Sequence, residues 1–166
     1  WHHLLEDVPP GPAIILANEY FDVLPVHQMV KKDTGWHERM IDVDDDVFVF
    51  TTAPDPAPRF EVLLPAQVRA APSGAIFEWR APNEIMTLAR RLRDHGGAAL
   101  IIDYGHLRSD AGDTLQAVAQ HSYANPLRSP GLFDITAHVD FQALALAAED
   151  VGIRAHGPIE QGAFLN

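Results

Sequence analysis

Two short apolar runs, Ala13 to Leu16 and Ala98 to Ile102, break off abruptly into polar residues: Asn18, Glu19 and Asp22 after the first, Asp103, Tyr104 and His106 after the second. Unbroken apolar runs of this length are typical of parallel strands buried on both faces. Before the second run the hydrophobic period changes to that of a helix. Ile85, Leu88, Ala89 and Leu92 fall at i, i+3, i+4 and i+7, with Asn83 as candidate N-cap, Glu84 in the first turn, Arg90, Arg91 and Arg93 towards the end, and Gly96-Gly97 as the stop. A helix that feeds straight into the second strand makes a parallel crossover, so both polar ends emerge at one edge of the sheet. Ligands of open α/β sheets bind outside that carboxyl edge. Taken alone, Asn18 is equally a turn cap and Glu19 a solvated acid; the matching second strand end favours a shared site.

Between the two runs the pattern is antiparallel. Gln28 to Val30 and His37 to Val43 read as strands around the turn Lys32-Asp33-Thr34-Gly35, and Val47 to Thr51 continues the sheet. The acids Asp42, Asp44, Asp45 and Asp46 fail as a calcium loop, which would need glycine at position 47 and glutamate at position 53, where Val47 and Ala53 stand. They read as a charged hairpin turn. Three prolines mark 53–58 as a loop, after which Phe60 to Leu64 and Ala75 to Trp79 are expected to be extended. Trp36 and Trp79 suit either a substrate groove or a core. Asp113 to Tyr123 fits two patterns: a helix opened by an Asp113/Gln116 capping box, or a strand alternating through Leu115, Ala117, Ala119, His121 and Tyr123. Asp140 is a candidate cap for a helix with inner face Phe141, Leu144, Ala145 and Ala148, stapled by Val139 and Leu144 and stopped by Gly152. Ile153 to His156 is then expected to be a third strand.

The 166 residues carry 23 acidic against 12 basic side chains, a formal charge of −11, which opposes phosphate backbones and anionic lipid. No apolar stretch approaches the ~20 residues of a membrane helix. No cysteine is present, so no disulfide or thiolate metal site is available, and none of the nine histidines has His-Glu-x-x-His spacing. Nucleic acid, membrane insertion and a metal are therefore not expected. The chain opens on Trp1 and closes on the apolar segment Ala163-Phe164-Leu165-Asn166, and both ends read as cut from something longer.

Six blocks in order resemble the MidA family of S-adenosylmethionine-dependent methyltransferases. They are Asn18 to Pro25, Gly35 to Arg39, Ala99 to His106, Gly112 to Gln116, Asp134 to Phe141 and Gln161 to Leu165. The resemblance implies an α/β class I, Rossmann-like fold, whose strand order is 3-2-1-4-5-7-6, with this chain supplying strands 4, 5 and 6 and an antiparallel insertion over 26–80. It places the glycine-rich cofactor loop and the ribose-binding acid before Trp1 and the last strand after Asn166. On that placement residues 1–166 are a fragment of one domain, with an uncovered edge at Ala13 to Leu16. Mitochondrial members are protein arginine methyltransferases acting on a respiratory complex I subunit. The compartment implied is the mitochondrial matrix in a eukaryote and the cytoplasm in a bacterium. The cofactor implied is S-adenosyl-L-methionine, and the partner a protein substrate, with a second copy of the chain also possible.

Methyl transfer from a sulfonium is an in-line displacement, so the protein must align the nucleophile and leave it a lone pair. A carboxylate pair orients a guanidinium and draws its charge onto the nitrogens that do not react. Glu19 and Asp22 resemble in position the acidic loop of arginine methyltransferases. Asn18 is the third catalytic candidate and the one residue here that can also reach the cofactor; alternatively its amide oxygen holds an amine or amide nucleophile. The absence of Pro-Pro-Tyr after Asn18 disfavours a nucleic-acid substrate. Asp103, Tyr104, His106, His138 and Asp140 are substrate-side candidates, with His138 and Asp140 close enough in sequence to share an orienting hydrogen bond. A non-catalytic assembly factor that keeps the fold is the competing function.

Overall fold

The computed structural model describes residues 1–119 and 122–166. In chain order the strands and helices are β1 (Ala13–Asn18), β2 (His27–Lys32), β3 (Gly35–Asp44), β4 (Val47–Thr52), α1 (Pro58–Leu63), α2 (Ala66–Arg69), β5 (Ile76–Trp79) and α3 (Asn83–His95). They continue as β6 (Gly97–Ile102), β7 (Gly105–His106), β8 (Gln116–Ala119), β9 (Ser122–Ala124), β10 (Asp134–Thr136), β11 (Val139–Asp140), α4 (Phe141–Asp150) and α5 (Gln161–Leu165). The chain divides into two compact units.

The first unit comprises Trp1–Asp22, Ala81–Arg108 and Val139–Asn166. Here β1 and β6 pair in parallel, from Ala13 opposite Gly97 to Asn18 opposite Ile102, as the paired apolar runs require. Close approach at the start of this pair depends on Gly97, where an added Cβ would lie 1.9 Å from the Ala13 carbonyl oxygen. The inner face of α3 is the expected one, with Ile85, Leu88, Ala89 and Leu92 buried. Burying such side chains contributes roughly 1.5–3 kcal/mol for each large one. The cap differs from expectation: Pro82 occupies the N-cap and Asn83 is the first helical residue, because proline's fixed φ suits the entry turn. On the opposite face of the sheet Ile14 and Leu16 are exposed, and among the described residues β1 pairs only with β6. β7 and β11 form a second parallel pair, and α4 follows with the expected Asp140 cap and Gly152 stop, the latter at φ +89°.

The expected strand over Ile153 to His156 is absent. Ile153 and Ala155 are half-buried and alternate with exposed Arg154 and His156, but no described residue pairs with this segment. The Ile153 N–H donates instead to Ala148 at the end of α4.

The second unit comprises Val23–Arg80 and Ser109–His138. Its main sheet is antiparallel, ordered β4-β3-β2-β5, and Asp45 and Asp46 form the two-residue turn of the acidic hairpin with φ of 45° and 63°. Short aspartates tolerate this left-handed conformation better than most side chains. The core consists of Met29, Trp36, Leu64, Val68 and Phe77, with Phe60 and Trp79 against it, which assigns Trp36 to packing rather than to a groove. Phe60 to Leu64 is largely helical, not extended. Pro58 starts α1 without losing a needed N–H, and helical spacing brings Phe60 and Leu64 to the core while leaving Val62 exposed.

In a smaller sheet, ordered β10-β8-β9, the ambiguous segment is neither a helix nor one continuous strand: Gln116–Ala119 and Ser122–Ala124 are separate strands that pair antiparallel, Asp113 to Leu115 lie outside any strand, and His121 of the expected alternation lies outside the described residues. The Asp113/Gln116 capping box does not form, because Asp113 accepts from Arg39 and Gln28, and Gln116 donates to Thr136.

Candidate active site

The carboxyl ends of β1 and β6 meet within the first unit and form the candidate site. After Asn18 the chain turns sharply: Glu19 donates its backbone N–H to the Ile102 carbonyl at 2.8 Å and adopts φ 46°. A left-handed non-glycine residue is strained by about 1–2 kcal/mol, and such strain persists where surrounding contacts impose it. Those contacts come from Asp103. Its Oδ2 accepts the N–H of Phe21 at 2.9 Å and of Asp22 at 3.3 Å, and its Oδ1 accepts that of Tyr104 at 2.8 Å. Asp103 therefore holds the loop that carries Glu19, a role different from the substrate contact expected for it.

Within that loop Phe21 is 2% and Asp22 5% exposed, whereas Asn18 and Glu19 are exposed. Glu19 is the accessible carboxylate and Asp22 the enclosed one. Tyr20 packs edge-on against Phe21 and donates its hydroxyl to Glu84 Oε2 at 3.2 Å. Burial, followed by the negative charge of Glu84, raises the Tyr20 phenol above its ordinary pKa. This contact ties the loop to the first turn of α3. Sequence analysis gave Glu84 only a helix-start role.

The second strand end continues into β7. Tyr104 exposes its side chain and accepts the Val139 N–H through its carbonyl at 2.8 Å. At Gly105 an added Cβ would meet the Val139 carbonyl oxygen at 2.1 Å, so only glycine permits this pairing. His106 lies opposite Asp140, with Nε2 3.9 Å from Asp140 Oδ2, while Asp140 Oδ1 accepts the Ala143 N–H at 2.9 Å. The partnership expected between Asp140 and His138 is thus taken by His106. At 3.9 Å it is an ion pair when the imidazole is protonated. His138 belongs to the second unit, where its N–H donates to Thr114 Oγ1 and its carbonyl accepts from Arg80.

Sequence analysis missed Glu78, Arg80 and Thr114, which belong to a partly buried polar network in the second unit. A carboxylate set between Phe77 and Trp79 in an otherwise apolar strand was the available signal.

The glycines most tightly packed by backbone, Gly97 and Gly105, are filled by the Ala13 and Val139 carbonyls and cradle no cofactor. Of the residues here, the exposed amide of Asn18 at the end of β1 fits an edge contact to one.

Comparison with known proteins decides the family. Residues 1–159 match the family described as "Putative S-adenosyl-L-methionine-dependent methyltransferase". The chain belongs to this family. It is 37% identical over 174 residues to the mitochondrial protein arginine methyltransferase NDUFAF7 homolog of Drosophila melanogaster, covering 99% of this chain and 39% of that protein. It is 36% identical over 173 residues to the mitochondrial protein arginine methyltransferase NDUFAF7 of Homo sapiens, covering 99% and 37%. The chain therefore spans under two fifths of the length of these relatives. A Burkholderia thailandensis crystal structure with S-adenosyl-homocysteine bound superposes with a TM-score of 0.74 at 29% identity, over 89% of this chain and 40% of that one. The resemblance drawn from the six sequence blocks is borne out, as is a mixed α/β fold similar to a methyltransferase. No helix among the described residues is long and apolar enough to cross a membrane.

Proposed function

We propose that the intact protein transfers a methyl group from S-adenosyl-L-methionine to a protein arginine side chain, and that Glu19 holds the guanidinium. The observation that carries this is the exposed Glu19 carboxylate at the carboxyl end of a parallel strand, held in a strained left-handed turn by Asp103. The names of the relatives support arginine as the target. In this reading β1 and β6 are strands 4 and 5 of a class I sheet, and 26–80 is the antiparallel insertion between them.

When bound, S-adenosyl-L-methionine would supply the methyl group from its sulfonium. The chain's own residues do the rest. Glu19 accepts two guanidinium N–H groups, leaving the third nitrogen aimed outward with its lone pair recovered as the proton departs. Asp22 supplies a second negative charge behind the loop, and the Asn18 amide contacts the cofactor edge. His106, with Asp140 beside it, takes up the proton released from the methylated nitrogen. Tyr104 contacts the flanking substrate, and within the second unit His138 is the candidate substrate contact. The protein substrate is a respiratory complex I subunit, met in the mitochondrial matrix in a eukaryote or the cytoplasm in a bacterium.

The test is to incubate the intact protein with methyl-labelled donor and arginine- or lysine-bearing peptides, then hydrolyse the product. Labelled methylarginine is the expected result. Label in lysine alone, or none in either peptide, overturns the assignment.

A further inference from the structure

We propose that Glu78 and Arg80 are positioning residues that fix the backbone at His138 from both sides, Glu78 acting through Thr114. The inference rests on the reading above, in which His138 contacts substrate. All of these residues lie in the second unit.

Strand alternation carries the geometry. Phe77 and Trp79 turn to the core, so Glu78 and, just beyond the end of β5, Arg80 project to the other face. Glu78 is 7% exposed, and a buried carboxylate survives only if its lone pairs are met. Its Oε1 accepts Gln28 Nε2 at 2.7 Å and the N–H groups of Thr114 and Leu115 at 3.1 and 3.0 Å. Its Oε2 accepts the Thr114 hydroxyl. Gly112 adds a backbone N–H to the Ile76 carbonyl at 2.7 Å, so the 112–115 segment is bound along β5 by both main chain and side chain.

Thr114 passes this order on. With its hydrogen directed at Glu78, the hydroxyl oxygen accepts the His138 N–H at 2.8 Å. The His138 carbonyl accepts Arg80 Nη1 at 2.8 Å, the Ala137 carbonyl accepts Nη2 at 2.8 Å, and the Leu24 carbonyl accepts Nε at 3.1 Å. Both backbone polar groups of His138 thus end on side chains of this network rather than on a strand ladder. The imidazole itself is half-buried and has no hydrogen-bond partner among the described residues, which leaves it available to a substrate. A hydroxyl is required at position 114 because one atom must donate and accept at once. Glutamate is required at 78 because an amide would turn a donor towards Thr114.

The experiment uses the intact protein and two readouts: amide exchange of the segment spanning Thr136–Val139, and methyl-transfer kinetics on an arginine peptide. In T114V, exchange is expected to accelerate at least about tenfold. Peptide KM should rise at least about fivefold while KM for S-adenosylmethionine stays within about twofold. T114S keeps the hydroxyl and should restore both. E78Q, which preserves volume, should reproduce the T114V pattern and decides the matter if T114V does not fold. Unchanged exchange in T114V and E78Q overturns the positioning role. Accelerated exchange with unchanged peptide KM overturns its link to substrate. A wild-type protein that transfers no methyl group overturns the proposed function instead, and exchange alone then decides whether Glu78 and Thr114 fix His138.

Discussion

Asp103 accepts the backbone N–H of Phe21 at 2.9 Å across 82 residues of sequence. One side chain at the end of β6 thereby sets the conformation of the loop at the end of β1, including the left-handed Glu19. The two polar strand ends therefore form a single structure.

Replacing Asp103 should loosen the loop. D103A leaves the Phe21, Asp22 and Tyr104 amides without their acceptor, a loss of about 1–3 kcal/mol for a charge-assisted set partly replaced by water. Urea denaturation of the intact protein should show that loss together with a fall in kcat/KM. Unchanged stability and activity would mean that the loop holds itself.

Glu19 should be separable into backbone strain and side-chain chemistry. E19G relieves a left-handed residue but gains unfolded-state freedom, so its stability should equal that of E19Q or exceed it by up to about 1 kcal/mol, while both variants lose at least about tenfold in methyl transfer. A less stable E19G would show that the turn is not strained at this position.

Close backbone approach at Gly105 predicts a large penalty for one methyl group. G105A forces a Cβ against the Val139 carbonyl oxygen and should cost at least about 1–3 kcal/mol. G162A meets nothing within 4 Å and should stay within about 0.5 kcal/mol in the same thermal unfolding experiment. Equal stabilities would contradict the β7–β11 pairing.

Tyr20 should report its environment by alkaline titration. Its phenol is raised by burial and by Glu84, so it stays protonated in the folded protein at a pH where it ionises when unfolded. The associated stability is complete below about pH 10 and is lost as pH rises through the higher folded value. The difference in tyrosinate absorbance between wild type and Y20F isolates this group. E84Q should bring its midpoint down, and a midpoint unaffected by E84Q would show that Glu84 contributes nothing.

Features set by local pattern were readable from the sequence. The α3 face and the Asp140 cap depend on neighbours at fixed spacing, and Ile85, Leu88, Ala89 and Leu92 are buried as their period requires; the β1–β6 pair, though distant in sequence, was readable because α3 feeds straight into the second apolar run. Features set by distant partners were not. Phe60 to Leu64 has no strong period and took its helical form from Pro58 and the core formed by Met29 and Trp36. Ile153 to His156 alternates like a strand, yet a strand needs a ladder and no described residue supplies one. Asn18, Glu19 and Asp103 were legible as adjacent strand ends because each follows an apolar run. That Asp103 serves the loop, and that Asp140 meets His106, follows only from how the chain returns on itself.

The most direct measurement is methyl transfer by the intact E19Q variant, with S-adenosyl-homocysteine affinity measured in parallel by calorimetry. A charge-assisted hydrogen bond to a guanidinium contributes about 1.5–3 kcal/mol, so transfer to an arginine peptide should fall at least about tenfold while cofactor affinity stays within about twofold. Wild-type turnover in E19Q would show that the acid at the end of β1 only faces solvent, and a matching loss of S-adenosyl-homocysteine affinity would place it at the cofactor instead of the substrate.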